Sequence, residues 1–127
     1  MSEAAIAEPD RVEGAPHPRD TLRLVGQGAA EDAFLDACRA GRLHHAWLLT
    51  GPLGVGKATL AWRIARFLLA TPEDRGGSLF GAAPAVPQSL DIDPDDPVAR
   101  RIHAGSEGRL FVLRRAWDEK NARLKSV

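Results

Sequence analysis

The sequence predicts an α/β fold, an incomplete parallel sheet flanked by helices, and three observations lead to it. Residues 46–49 (Ala-Trp-Leu-Leu) and 110–113 (Leu-Phe-Val-Leu) are short, nearly continuous apolar runs of the kind a buried parallel strand needs. Between them, residues 57–70 set Leu60, Ala61, Ile64, Phe67 and Leu68 on one face at 3.6-residue spacing, which is an amphipathic helix. The order strand, helix, strand is that of a parallel α/β unit, in which the helix carries the chain across from one strand to its neighbour.

The elements follow in order along the chain. Residues 1–18 combine Ala, Glu, Pro and Gly with almost no large apolar side chain, so they are expected as a disordered tail. Residues 29–40 predict a helix with Phe34, Leu35 and Cys38 inward and Gly41 as its stop; Val25-Gly26-Gln27-Gly28 leads into it. The helix over 57–70 ends at Thr71-Pro72, because proline removes a backbone donor and restricts the residue before it. Residues 72–97 are rich in Gly, Pro, Asp and Ser and lack periodicity, which makes them an insertion or a mobile loop. A short helix over 97–104, with Pro in its first turn and Gly105 as its stop, precedes the second strand. The residues from 19 to 127 are therefore expected as one partial domain interrupted by the 72–97 insert.

The helix over 57–70 carries a second apolar face, since Trp62 and Leu69 lie roughly 180–200° around the wheel from Leu60 at 100° per residue. Two readings account for it: a helix buried on both sides inside a larger assembly or against a partner, or a single aromatic covered by the insert.

Composition sets the outer bounds. With 127 residues, 44% hydrophobic and 27% charged, the chain has the makeup of an ordinary single soluble domain with a modest core. The 17 basic and 17 acidic residues cancel, so net charge gives no reason to expect strong binding of the whole segment to nucleic acid or membrane. The start is acidic (Glu3, Glu8, Asp10, Glu13, Asp20) and the end basic (Arg100, Arg101, Arg109, Arg114, Arg115, Lys120, Arg123, Lys125), each cluster reading as a solvated face. A single Cys38 excludes an internal disulfide and leaves no zinc ligand set, so a reducing, cytoplasmic compartment fits. No signal-like segment and no apolar run of bilayer length is present.

Chemistry concentrates between the first strand and the long helix. Gly51, Gly56 and Lys57 complete the pattern G-x-x-x-x-G-K, in which glycines turn backbone N–H groups inward around a phosphate and the lysine reaches the outer phosphates. The helix that follows points its free N–H groups and positive dipole end at the same place. A structural turn alone would not need Gly, Gly and Lys at that spacing. The next position calls for a Ser or Thr hydroxyl to hold Mg²⁺, and here it is Ala58; Thr59 stands one residue, about 100°, further round the helix. Phosphate binding is thus expected, with Mg²⁺ held weakly or not at all and hydrolysis by this site not expected. The acids do not supply a hydrolytic centre: Asp91, Asp93, Asp95 and Asp96 sit in a proline-interrupted segment, and Asp118 and Glu119 lie past the end of the second strand run. His44 and His45 are neighbours that would point to opposite sides of an extended chain, which suits packing or capping rather than metal binding.

Taken together, Val25-Gly26-Gln27, the run 40–49 (AGRLHHAWLL), the run 51–61 (GPLGVGKATLA) and the stretches 96–106 and 113–120 resemble bacterial clamp-loader subunits of the AAA+ class, and among them the delta prime type of DNA polymerase III. The resemblance spans about residues 19–125. It implies a P-loop domain in which Val25, Gly26 and Gln27 line an adenine pocket and Gly51, Pro52, Gly54, Val55, Gly56, Lys57, Ala58 and Thr59 hold ATP or ADP. It also implies a cytoplasmic replication role: a subunit of a hetero-pentamer that helps place a sliding clamp on primed DNA, with no membrane partner. Many family members carry a four-cysteine zinc module after the P-loop helix; the 72–97 insert has no cysteine, so zinc is not carried over. The acidic motif, sensor residues and collar domain of the family are not found within the chain, which reads as an N-terminal fragment of a longer protein. Two other classes stay open: a small kinase-like P-loop enzyme, which would need a hydroxyl after Lys57 and a catalytic acid, and a structural module with a relic nucleotide site.

Overall fold

The computed structural model describes residues 10–71, 87–115, 117, 118, 120, 123 and 124. Its regular structure is helical: a 3₁₀ turn at Pro18–Asp20, then α1 (Gly28–Arg39), α2 (Lys57–Ala70) and α3 (Pro97–His103). A two-residue antiparallel ladder follows, β1 (Trp117–Asp118) beside β2 (Arg123–Leu124), with Trp117 opposite Leu124 and Asp118 opposite Arg123.

The expected parallel sheet is not formed among the described residues, and with it the P-loop α/β domain architecture of the AAA+ class is corrected to a helical one. Residues 46–50 and 110–115 carry no strand. A strand exists only as one side of a hydrogen-bonded ladder, and neither run has a ladder partner among the described residues. Their side chains also face outward: Leu48 is 88% exposed, Phe111 86% and Leu113 96%. Trp47 and Leu49 of the first run turn inward instead, Trp47 against Phe34 (ring centroids 5.1 Å apart) and Leu49 against the core.

Local sequence explains the helix ends. Asp96 caps α3 through Oδ1, which accepts from the N–H groups of Val98 (2.8 Å) and Ala99 (3.4 Å), and Pro97 takes the first turn, where no N–H is needed. α1 and α3 stop the same way. Gly41 (φ +64°) and Gly105 (φ +72°) adopt the left-handed conformation, and the following residue donates back into the helix: Arg42 N–H to Ala37 O at 2.9 Å, Ser106 N–H to Arg101 O at 2.8 Å. α2 spans the expected residues and ends at Thr71.

Phe34 and Leu35 from α1, Leu60 and Phe67 from α2, and Leu90 form the core; Leu24, Cys38, Leu49, Ile64 and Ile92 pack around it. Phe34 and Phe67 meet edge to face, 6.3 Å apart at 85°. Ala99 and Ile102 bury the inner side of α3, which packs against α2.

Two arginines are buried on α2. The Arg63 guanidinium donates to Glu31 Oε1 (2.6 Å) on α1, to Asp91 Oδ1 (2.9 Å) and to the Leu22 carbonyl, joining four segments at one point. Arg66 donates from Nη2 to the Arg19 carbonyl at 2.7 Å.

The other face of α2 is met from the N-terminal side. Trp62 is half-buried and stands edge-on to His17, 5.8 Å away at 77°. His17 is fully buried; its Nδ1 accepts from the Arg19 N–H at 3.1 Å, and its Nε2 lies 3.1 Å from Asp10 Oδ1. Of the segment expected as a tail, 1–9 lie outside the described residues, and 10–18 reach α2 through His17. Within the expected insert, 72–86 also lie outside them. Residues 87–97 dock: Leu90 is 2% exposed, and the Pro87 carbonyl accepts from Arg39 Nε at 2.9 Å.

Candidate phosphate site

Residues 51–56 connect the stretch that carries Trp47 and Leu49 to α2, and three glycines shape the loop: Gly51 at φ +150°, Gly54 at +84° and Gly56 at +97°. Gly56 is the most constrained. It is the N-cap of α2 in the left-handed conformation, and a Cβ there would come within 2.5 Å of Leu24 Cδ1. Glycine therefore lets the loop close under Leu24 while its backbone turns into the helix.

No side chain caps α2, and its first turn contains no acid. The first N–H groups of an α-helix have no partner within the helix, so this end combines open donors with the positive pole of the helix dipole. Lys57 adds a full charge. Its Nζ donates to the carbonyls of Gly51 and Pro52, each at 2.7 Å, which holds the ammonium over the loop. An ammonium has three N–H donors, and two are used this way. Gly51, Pro52 and Gly54 are exposed, and Val55–Thr59 are half-buried. The donor set suits an anion approached by backbone amides and one lysine, which is how phosphate groups are held at helix N-termini.

An apolar cavity of about 280 Å³ adjoins the loop, lined among others by Gln27, Phe34, Trp47, Leu49, Val55 and Lys57. Of the residues expected at the site, Gln27, Val55, Gly56 and Lys57 line it; Val25, Gly26, Gly51, Pro52, Gly54, Ala58 and Thr59 do not. Val25 is 85% exposed, and Gly26 turns the chain at φ +82° before α1. Trp47 and Leu49 were read from sequence as strand residues and serve here as cavity wall, a role that an apolar run beside a glycine loop signals only in part.

Three of the acids have structural partners. Asp96 caps α3, Asp93 Oδ1 accepts from the Asp95 N–H at 2.9 Å, and Asp91 pairs with Arg63. Asp118 is in β1, and Glu119 lies outside the described residues. His44 stands 5.9 Å from the Trp47 ring. Among the described residues, no group of three or more His, Cys, Asp or Glu side chains is placed to hold a metal ion, and no helix is long and apolar enough to cross a membrane.

Part of the chain is similar to known proteins. It is 41% identical over 51 residues to DNA polymerase III subunit gamma of Buchnera aphidicola subsp. Schizaphis graminum (strain Sg), a match that takes in 40% of this chain and 14% of that protein. To DNA polymerase III subunit gamma of Buchnera aphidicola subsp. Acyrthosiphon pisum (strain APS) it is 42% identical over 45 residues, 35% of this chain and 12% of that protein. The chain thus spans a small part of the length of these curated relatives. Both carry the gamma name rather than the delta prime name that the sequence resemblance favoured. No family model and no solved structure matches the chain.

Proposed function

We propose that residues 51–59 hold the phosphates of ATP or ADP, and that the chain belongs to a DNA polymerase III subunit of the clamp-loader kind, acting in replication. The carrying observation is the placement of the Lys57 ammonium over a loop of positive-φ glycines at a helix start that no side chain caps. The partial likeness to gamma subunits supports the replication setting. The finer delta prime assignment rests on the resemblance over residues 25–27, 40–49, 51–61, 96–106 and 113–120. On this reading the partners are the other clamp-loader subunits, the sliding clamp and, through the assembly, primed DNA.

The residues fit the phosphates better than they fit a metal. Backbone N–H groups from Gly54 to Thr59 would cradle the phosphate oxygens, Lys57 would neutralise charge on the outer ones, and the apolar cavity beside Gln27 and Trp47 would take the base. Ala58 brings no oxygen to Mg²⁺, so the bound nucleotide is held rather than turned over.

A second reading has one observation of its own: Lys57 already closes the loop by bonding two of its carbonyls, as a purely structural turn would. Calorimetric titration of ATP and ADP into the chain and into Lys57→Ala separates the two. The nucleotide reading predicts binding that weakens about tenfold or more in the variant, the loss expected for one charge-assisted contact. No binding by either protein favours the structural turn.

A further inference from the structure

A second cavity, about 380 Å³, opens between the Pro18–Asp20 turn, α2 and α3, and is lined by Arg19, Asp20, Leu22, Arg66, Arg100 and His103, with Pro94 and Ala99. We propose that it is a second anion site, one that takes a phosphate-class anion through Arg66 and Arg100.

Arg66 carries the argument. It is 3% exposed, yet among the described residues its guanidinium makes a single hydrogen bond, from Nη2 to the Arg19 carbonyl, and no acid stands within ion-pair distance of it. A guanidinium has five N–H donors in a planar fork. Burying such a charge without a carboxylate is costly, and an oxyanion in the adjoining cavity would supply the missing acceptors. Burial, and then the neighbouring charge of Arg63, push the Arg66 guanidinium below its ordinary value, against the pull of Asp20.

The surroundings select the ligand class. Among the described residues, Arg66 and Arg100 line the cavity beside a single carboxylate, that of Asp20, whose buried Oδ1 makes no hydrogen bond and lies 2.6 Å from His103 Nδ1. Two guanidiniums against one carboxylate favour an anion, and arginine forks match tetrahedral oxyanions. Leu22, Pro94 and Ala99 provide apolar wall for the carbon side of an ester, and the volume is in the range of small-ligand sites. Arg66 is nine residues along α2 from Lys57, about 13 Å at the helical rise, so the two sites are separate.

Pyrophosphate is titrated calorimetrically at low salt into the chain carrying Lys57→Ala, which removes the lysine of the loop site. The proposal predicts that this protein still takes up pyrophosphate, that Arg100→Ala weakens uptake about fivefold, and that Arg66→Gln weakens it further. Arg66→Gln keeps an amide for the Arg19 carbonyl, and Arg100 is exposed on α3, so at least one variant retains the fold, as circular dichroism would verify. A short single-stranded oligonucleotide that displaces pyrophosphate assigns a nucleic-acid phosphodiester as the source; one that leaves it in place assigns a free phosphate ester, and both outcomes support the site. Absence of uptake in the Lys57→Ala protein, or uptake that Arg100→Ala leaves unchanged, overturns it.

Discussion

The ammonium of Lys57 lies 2.7 Å from the carbonyl of Gly51, so the loop is clasped by the lysine that follows it. The contact is exposed and forms within one loop, so its contribution to folding is small, of the order of 1 kcal/mol or less. Lys57→Ala is therefore expected to lower unfolding free energy in urea by less than about 1 kcal/mol while weakening ATP binding about tenfold. A loss of stability as large as the loss of binding would mean that the lysine is there to hold the loop.

Gly56 tests the loop backbone rather than its charge. A left-handed conformation costs a residue with a Cβ roughly 1–2 kcal/mol, and Leu24 Cδ1, at the flexible end of its side chain, can give way. Gly56→Ala is expected to lower unfolding free energy by about that amount and to weaken nucleotide binding as well. Thermal and denaturant melts, read beside titrations, check both parts.

Arg63 has two carboxylate partners in unlike surroundings: the Glu31 side chain is 19% exposed and that of Asp91 74%. Removing Glu31 leaves a buried guanidinium short of an acceptor. Glu31→Ala is expected to cost about 2–3 kcal/mol, below the roughly 3–5 of a fully buried pair, and Asp91→Ala less than about 1. Equal losses would contradict the weight given to burial.

Glu107 is expected to contribute to acid stability. Hydrogen bonds first from Arg109 and then from Arg101 lower its carboxyl from 4.5 to about 2. A depressed folded-state value means that the stabilising contribution is present above about 4.5 and is lost as pH falls from there through about 2. Glu107→Gln is expected to flatten this part of the stability profile. Urea melts at a series of pH values, compared between the two proteins, would show it.

Ala58→Ser restores the hydroxyl where the loop would present it to Mg²⁺. Nucleotide affinity of the variant is expected to fall on removal of Mg²⁺ with EDTA, and that of the parent chain to change little. Strong Mg²⁺ dependence and steady hydrolysis in the parent would contradict a site that holds nucleotide without turning it over.

Helices were legible because their signals are local. The apolar stripe of α2, the Pro97 opening of α3 and the glycine stops of α1 and α3 all lie within a few residues of what they determine. The strands were not. Trp47–Leu49 and Phe111–Leu113 have the composition of buried strands, but strand formation depends on a neighbour that composition does not reveal. Arg63 and Arg66 were missed because their acceptors are far away in sequence, at Glu31, Asp91, Leu22 and Arg19. His17 was hidden in a stretch of Ala, Glu, Pro and Gly; the proline after it was the available sign of a turn. At the candidate site, sequence spacing located Gly51, Gly56 and Lys57, whereas the cavity wall from Trp47 and Leu49 depends on how the preceding run folds inward.

Backbone amide shifts during an ADP titration test the phosphate-loop account most directly, because the ligand contacts it invokes are mostly N–H groups. The account predicts that the amides of Gly54, Val55, Gly56, Lys57 and Ala58 move first and furthest, with smaller changes at Gln27 and at the indole N–H of Trp47. Shifts centred on Arg66 and Arg100 instead, or no shift in the loop at saturating ADP, would contradict it.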